Sequence, residues 1–286
     1  MVRFILTVLL ATAASCVARP LPYAGGGDAA ISRGDALADD GAPAACTPAN
    51  PTGAFALCGV VAGKPVRYAP PYLAYDARGL SEVDFEVLLY DGVWMEVWGL
   101  GAWRDHDPHQ VSGWLLRPPA DWAGRGAWIC GREGTITHNA DDSIDGNLGQ
   151  LAILPACDSS GGPQSLHVEV TAGVYSLLSG GQCQLAFLNN GTSFEILTPS
   201  CPHVGVPLAL DGLRLVNRGT RGMTSDATAC IGAGATVTSV PDVDASSVEH
   251  LVIDIPSMSA LEPCAPATSG GLLMHVAPLV PADAGP

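Results

Sequence analysis

Ser160 lies in the run Cys157-Asp158-Ser159-Ser160-Gly161-Gly162-Pro163. A serine on a glycine-rich turn becomes an acyl-transfer nucleophile when a base and an orienting acid reach it. Asp105-His106-Asp107-Pro108-His109 places imidazoles and carboxylates close together, suited in type to zinc or copper. Pro108 breaks any helix that would align His106 with His109, and no third ligand follows at fixed spacing, so an exposed acidic loop is the better reading. Asp141-Asp142-Ser143-Ile144-Asp145-Gly146-Asn147 sets oxygen ligands at alternate positions, Asp141, Ser143 and Asp145, with glycine sixth, as in calcium loops. The twelfth position is Ala152 rather than a bidentate Glu, so Ca2+ would need ligands from elsewhere in the fold. No other cofactor is expected. All six tryptophans fall between positions 94 and 128. Trp94 and Trp98 share a strand face by period two and are assigned to a core, whereas Trp103, Trp114 and Trp122 adjoin Gly, Pro or charged residues in expected loops. Together with Asp121 they are the candidate platform for a sugar ring or other small ligand, because flat aromatic faces stack on such rings. His167, His203, His250 and His275 lie in or beside strand-like text and are read as core or rim residues.

The elements that must position these groups belong to an exported chain. Arg3, the apolar run from Phe4 to Ala11 and then Thr12-Ala13-Ala14-Ser15-Cys16 read as a signal peptide over residues 1–15. Cleavage before Cys16 would leave it as a lipidated N-terminus; cleavage after Ala13 or Ala14 is the alternative. The apolar run is too short to cross a bilayer, so membrane attachment is expected only through the lipid. Val17 is not the Asp that retains lipoproteins at an inner membrane, which points to the outer membrane or cell surface, with release as a secreted protein the alternative. Residues 16–45, rich in Ala, Gly, Pro and Asp, form an expected disordered tether behind the lipid, and residues 278–286 a plain tail. Thirteen basic residues against 28 acidic ones give a net charge of −15, which excludes nucleic acid and anionic membrane surfaces as natural partners.

With 34 Gly, 23 Pro and 14% charged residues, the chain is turn-rich, and no long stretch shows helical periodicity. The expected class is all-β: two disulfide-stabilised, β-sandwich-like units, a Trp-rich one over 46–157 and a second over 164–277. Residues 83–90 and 93–98 read as a hairpin about Asp91-Gly92. Residues 184–188 and 193–197 read as another, about Asn190-Gly191, a pair able to take the positive φ angles of a type I′ turn. Further strands are expected at 166–170, 174–178, 213–216, 235–240, 250–255 and 272–276. Of nine cysteines, setting Cys16 aside leaves an even set: Cys46, Cys58, Cys130 and Cys157 in the first half, Cys183, Cys201, Cys230 and Cys264 in the second. The text after Cys130 echoes that after Cys230; a duplicated unit and chance in a Gly/Ala-rich chain both account for this. The pairing first expected joins 46 to 58, 130 to 157, 183 to 201 and 230 to 264.

The run around Ser160 looks like the nucleophile loop of trypsin-like proteases, but Ser159 stands where that loop has Asp, and Asp158 where it has the Gly whose amide helps form the oxyanion hole. No Ala-Ala-His-Cys text lies upstream, and His138 is too near Ser160 in sequence for that family's base, so a turn between units is the better reading. Leu57-Cys58, Gly63-Lys64-Pro65-Val66, Asp76-Ala77-Arg78-Gly79, Asp91-Gly92-Val93, Val97-Trp98-Gly99-Leu100, Trp103, His109-Gln110, Ala120-Asp121-Trp122-Ala123-Gly124-Arg125-Gly126 and Gly134-Thr135-Ile136 occur in the order seen in the ADYC-motif domain. Residues 57 to about 136 thus resemble a divergent member of that family, known chiefly from secreted proteins and lipoproteins of myxobacteria. The name-giving Ala-Asp-Tyr-Cys reads Ala120-Asp121-Trp122-Ala123, and Glu96 and Ser112 stand where members carry further cysteines. The resemblance implies a location and an architecture, and no catalytic residue. The expected function is a non-enzymatic surface binding or structural module that meets outer-membrane or cell-surface components. Two alternatives stand beside it: a glycan-binding protein using exposed tryptophans, and an extracellular hydrolase using Ser160 or a metal near His106.

Overall fold

Buried and exposed side chains alternate along strand after strand, and the chain is all-β. A computed structural model describes residue 46 and residues 55–70, 73–78, 83–89, 92–99, 106–141, 143–170, 174–177, 181–220, 227–240, 250–265 and 270–277. The expected signal, Cys16, the tether, Trp103 and the tail lie outside the described residues. The amino-terminal part contributes β1 (Phe55–Val61), β2 (Lys64–Tyr68), β3 (Leu73–Arg78), β4 (Val83–Leu89), β5 (Trp94–Gly99), β6 (His109–Arg117), the single-turn helix α1 (Ala120–Ala123), β7 (Trp128–Gly131), β8 (Glu133–His138), β9 (Ile144–Gly149) and β10 (Ala152–Leu154). Then come β11 (Gln164–Val170), β12 (Val174–Leu177), β13 (Cys183–Asn189), β14 (Thr192–Thr198), β15 (Leu208–Ala209), β16 (Arg214–Thr220), β17 (Ala227–Cys230), β18 (Thr236–Val240), β19 (His250–Met258), β20 (Glu262–Pro263) and β21 (Gly271–Val276).

The two hairpins form as their turn residues demand. Leu88 pairs with Trp94 across the connection that holds Gly92, which takes φ +83°. Cys183 pairs with Thr198 across a turn whose central Asn190 and Gly191 sit at φ +51° and +80°, the left-handed pair that matches strand twist.

An 11-stranded sheet runs β2-β1-β21-β9-β8-β6-β5-β4-β3, with β7 on β6 and β10 on β7. Strand β6 is its hinge: His109 and Gln110 pair with β8, while the residues beyond pair with β5 and β7. The sheet therefore folds back on itself around one core, with Phe55, Leu148 and Leu272 from one half meeting Met95, Trp114 and Ile129 from the other. A six-stranded sheet, β12-β13-β14-β16-β17-β20, and a four-stranded sheet, β11-β19-β18-β15, enclose a second core that includes Leu185, Ile196, Leu215, Val237 and Ile253.

The boundary expected at 164–277 needs correction at its end. Strand β21 pairs with β1 and β9 in the first sheet, and its alternate residues Leu272, Met274 and Val276 fill the first core. Its period-two pattern was legible, but the same pattern fits either core; the vacancy between β1 and β9 decides where it goes.

The two cores are joined along a seam where the outer faces of the sheets meet. Trp94 of β5, Leu115 of β6, Trp128 and Cys130 of β7 and Ala152 of β10 pack against Leu197 of β14 and Val216 of β16. The Trp94 and Trp128 rings lie 5.5 Å apart at 57°. Met95 and Val97 face the first core, so β5 is buried on both faces; Ile196 faces the second core while Leu197 faces the seam, so β14 is too.

Four disulfides are present. Cys46–Cys58 and Cys183–Cys201 form as expected. The other four cysteines exchange partners: Cys130 bridges Cys264, and Cys157 bridges Cys230. The reason is the seam, because Cys130 points outward from β7 among its residues and meets the buried Cys264 beyond β20. Each half thus gives its third cysteine to the other half's fourth. Such bridges belong to an oxidising, extracytoplasmic environment. The Cys130–Cys264 bridge closes a loop of sequence separation 134, for which loop entropy gives about 4–5 kcal/mol of stabilisation. Replacing both cysteines by alanine is expected to lower unfolding free energy by up to about that amount. Non-reducing peptide mapping of the wild type should recover peptides linked 130–264 and 157–230; peptides linked 130–157 would reverse the assignment.

Candidate functional site

The Ser160 run closes the passage from the first unit to the second. Asp158 Oδ1 accepts from the Ser160 hydroxyl at 2.5 Å and from its amide at 3.0 Å, and these bonds hold the Asp158 carboxyl below the usual range. The hydroxyl is spent on an exposed turn, and no histidine is hydrogen-bonded to it among the described residues. The two glycines serve close backbone approach. A Cβ on Gly161, at φ +68°, would fall 2.1 Å from Ser257 Oγ, and one on Gly162 would fall 2.5 Å from the Met258 carbonyl oxygen. Ser257 Oγ accepts from the Gly162 amide and donates to its carbonyl, both at 2.9 Å; the Gly232 amide donates to the Ser257 carbonyl at 2.7 Å. Beside the Cys157–Cys230 bridge, this run is a clasp on β19, which explains glycine and serine there without an oxyanion hole.

Asp141, Ser143 and Asp145 do come together, at the corner shared by β8, β9 and β21. Asp141 Oδ1 accepts from the Ser143 amide at 3.0 Å and its hydroxyl at 2.6 Å, bonds that keep the Asp141 carboxyl below the usual range. Asp145 Oδ2 accepts from Asn139 at 2.9 Å, and Oδ1 lies 2.7 Å from His275 Nδ1, its partner in the strand register. Burial opposes ionisation of Asp145, but the bonds from His275 and Asn139 outweigh it and hold its carboxyl low. His106 also reaches this end, with Nδ1 2.9 Å from the His138 carbonyl and the two rings 6.0 Å apart. Among the described residues, no group of three or more His, Cys, Asp or Glu is placed to hold a metal ion.

The tryptophan platform requires correction. Trp114 is fully buried in the first core, and its ring covers Gly131, where a Cβ would come within 2.4 Å of it. Trp122 is buried in the same core. The tetrad Ala120-Asp121-Trp122-Ala123 is α1 itself, a single turn that tucks Trp122 inward and leaves Asp121 exposed. Adjacent Gly, Asp and Pro pointed to loops, but Gly113 and Gly131 are strand residues, and Gly131 makes room for the Trp114 indole. The core role expected for Trp94 is observed, at the seam; the side chain of Trp98 lies outside the described residues.

Sequence reasoning missed the charges that the seam encloses. Glu96 and Glu195 are buried on facing strands β5 and β14, and Arg218 of β16 forms ion pairs with both carboxylates, at 2.9 Å to Glu195. Gln184 donates to the other Glu195 oxygen at 3.0 Å. Arg214, also on β16 and 8% exposed, donates to Thr228 Oγ1 at 3.1 Å and to the Pro155 carbonyl at 2.5 Å. Its burial lowers its pKa to about 10, which still leaves it cationic at neutral pH, and burial lowers that of Arg117 on β6 as well. Arg117 and Arg214 line one cavity of about 90 Å3, walled by Trp128, Leu197, Gly126 and Gly212. The signal was present in the text: Met95-Glu96-Val97, Phe194-Glu195-Ile196 and Leu213-Arg214-Leu215 set a charge between apolar neighbours in strands, which only a second covering layer makes meaningful.

Ser160→Ala should leave stability within about 1 kcal/mol of wild type, whereas Gly161→Ala should lower it by about 1–3 kcal/mol through overpacking at a left-handed position. Urea unfolding of both variants checks this. Asp145 has a lowered folded pKa, so its contribution is present above the ordinary carboxylate range at about pH 4 and is lost as pH falls through the lower folded value. Asp145→Asn should therefore be less stable than wild type at about pH 7, with the gap closing toward about pH 2. A gap constant with pH would refute the assignment. No family model, curated protein or solved structure matches the chain.

Proposed function

We propose that the protein is an exported, lipid-anchored, non-enzymatic binding or structural module of the cell envelope, its first unit a divergent ADYC-type domain. The observation that carries the reading is the disulfide framework: two of the four bridges staple the units together, so assembly depends on an oxidising compartment. The signal text ending at Cys16 agrees with that compartment, and the long Ala/Gly/Pro tether fits a folded module held away from a membrane by lipid. No helix among the described residues is long and apolar enough to cross a membrane. The acidic composition, with net charge −15, favours other envelope components over anionic lipid faces as partners.

Expression with its own signal tests the reading. Intact-mass spectrometry should find an acylated Cys16, and Cys16→Ser should move the protein from the membrane fraction to the soluble one. An unacylated start before Cys16, with wild type and variant equally soluble, would remove the anchor.

A further inference from the structure

We infer that the cavity between β6 and β16 is a binding site for a small oxyanion, a carboxylate, phosphate or sulfate group held by Arg117 and Arg214 at the seam. The inference gives the binding reading a ligand class and rests on that reading only for its biological setting; the localisation test and the test below fail separately.

One end of this interface sets two carboxylates on one guanidinium, and the other sets two guanidiniums on a cavity with no carboxylate in its walls. Arg214, Val216 and Arg218 alternate along β16 and so share the side that Val216 turns to the seam. Arg218 there meets two carboxylates, Glu96 and Glu195. Arg214 has neutral hydrogen-bond partners instead: a threonine hydroxyl and a peptide carbonyl. Its Nε is buried without a hydrogen-bond partner. Arg117, at the end of β6, makes no side-chain hydrogen bond or ion pair among the described residues, and no carboxylate lines the cavity that the two arginines share. In a chain with 28 acidic residues and 13 basic ones, two guanidiniums have been gathered at one cavity that has no counter-charge among the described residues lining it. Burying a cation without an anion is unfavourable, and a buried unsatisfied donor adds to that cost. An anion entering from solvent would relieve both.

The chemistry selects an oxyanion. Guanidinium presents donors in a planar fork that matches the spacing of carboxylate and phosphate oxygens. Of the Arg214 donors, Nε is left over, and the Arg117 fork has no side-chain partner among the described residues. The walls include the buried side chains of Trp128 and Leu197, whose apolar surface lowers the local dielectric and strengthens charge-assisted bonds. A cavity of about 90 Å3 takes an acetate- or phosphate-sized group. Burial already lowers the pKa of both arginines, and a bound anion would raise them again.

The disulfide-intact protein should be titrated with sodium phosphate, sulfate, acetate and glucuronate at constant ionic strength, with chloride as the balancing salt, following Tm and heat of binding. At least one oxyanion should bind saturably and raise Tm where chloride does not. Preference for phosphate or sulfate identifies a free inorganic ion, and preference for acetate or glucuronate the carboxylate of an organic ligand. Arg117→Gln should keep or raise the ligand-free Tm, since it removes a cation with no side-chain partner among the described residues, and should weaken binding about tenfold or more. In the wild type, the bound anion should also slow modification of Arg117 by phenylglyoxal, a readout that needs no variant. All oxyanions behaving as chloride, Arg117→Gln binding as tightly as wild type, or Arg117 modified equally fast with and without anion would each overturn the inference.

Discussion

Two β units are held back to back, and the seam between them constrains much of the rest. A strand in a one-sided sheet buries every second position; β5, β6, β7, β14 and β16 bury residues of both faces, because one face fills a core and the other fills the seam, where Glu96, Glu195 and Arg214 stand among apolar neighbours. The apolar text around Trp94, Leu115 and Trp128 follows from that double burial. Removing the second layer would expose Trp94, Trp128, Leu197 and Val216 together, a patch of the kind that drives association.

The covalent framework follows the same geometry. Cysteines that were near each other in sequence were separated by the sheets they stand on, while Cys130 and Cys264 were brought together from opposite units. The exchange is reciprocal, third cysteine to fourth in both directions, which locks the two units to one another and leaves a local bridge in each at Cys46–Cys58 and Cys183–Cys201. Strand β21 adds a further tie, since the chain must cross back from the second unit to complete the first sheet. Unfolding one unit alone would therefore pull against two bridges and extract a central strand.

Charges enclosed at the seam behave differently from charges on its rim. Glu96 and Glu195 both pair with Arg218 where water is scarce, and the cost of desolvating buried ions offsets much of what such pairs add to net stability. Arg214 and Arg117 instead line a cavity with no carboxylate in its walls. By contrast, the groups whose sequence patterns looked chemical turn out to be architectural. Asp158 and Ser160 shape a turn, Gly161 and Gly162 admit the backbone of β19, and Asp145 with His275 ties β9 to β21.

Local text determined a great deal: the all-β class, both hairpins with the register about Asn190-Gly191, the further strands, and the two bridges whose cysteines flank a single short segment. These depend on turn chemistry and period-two alternation, which act over a few residues. Alternation says which residues share a face, but not which sheet covers it. The burial of Trp114 and Trp122, the return of β21, the crossed Cys130–Cys264 and Cys157–Cys230 bridges and the arginine cavity were decided only when the second layer came to rest on the first, because each depends on contacts between segments far apart in the chain.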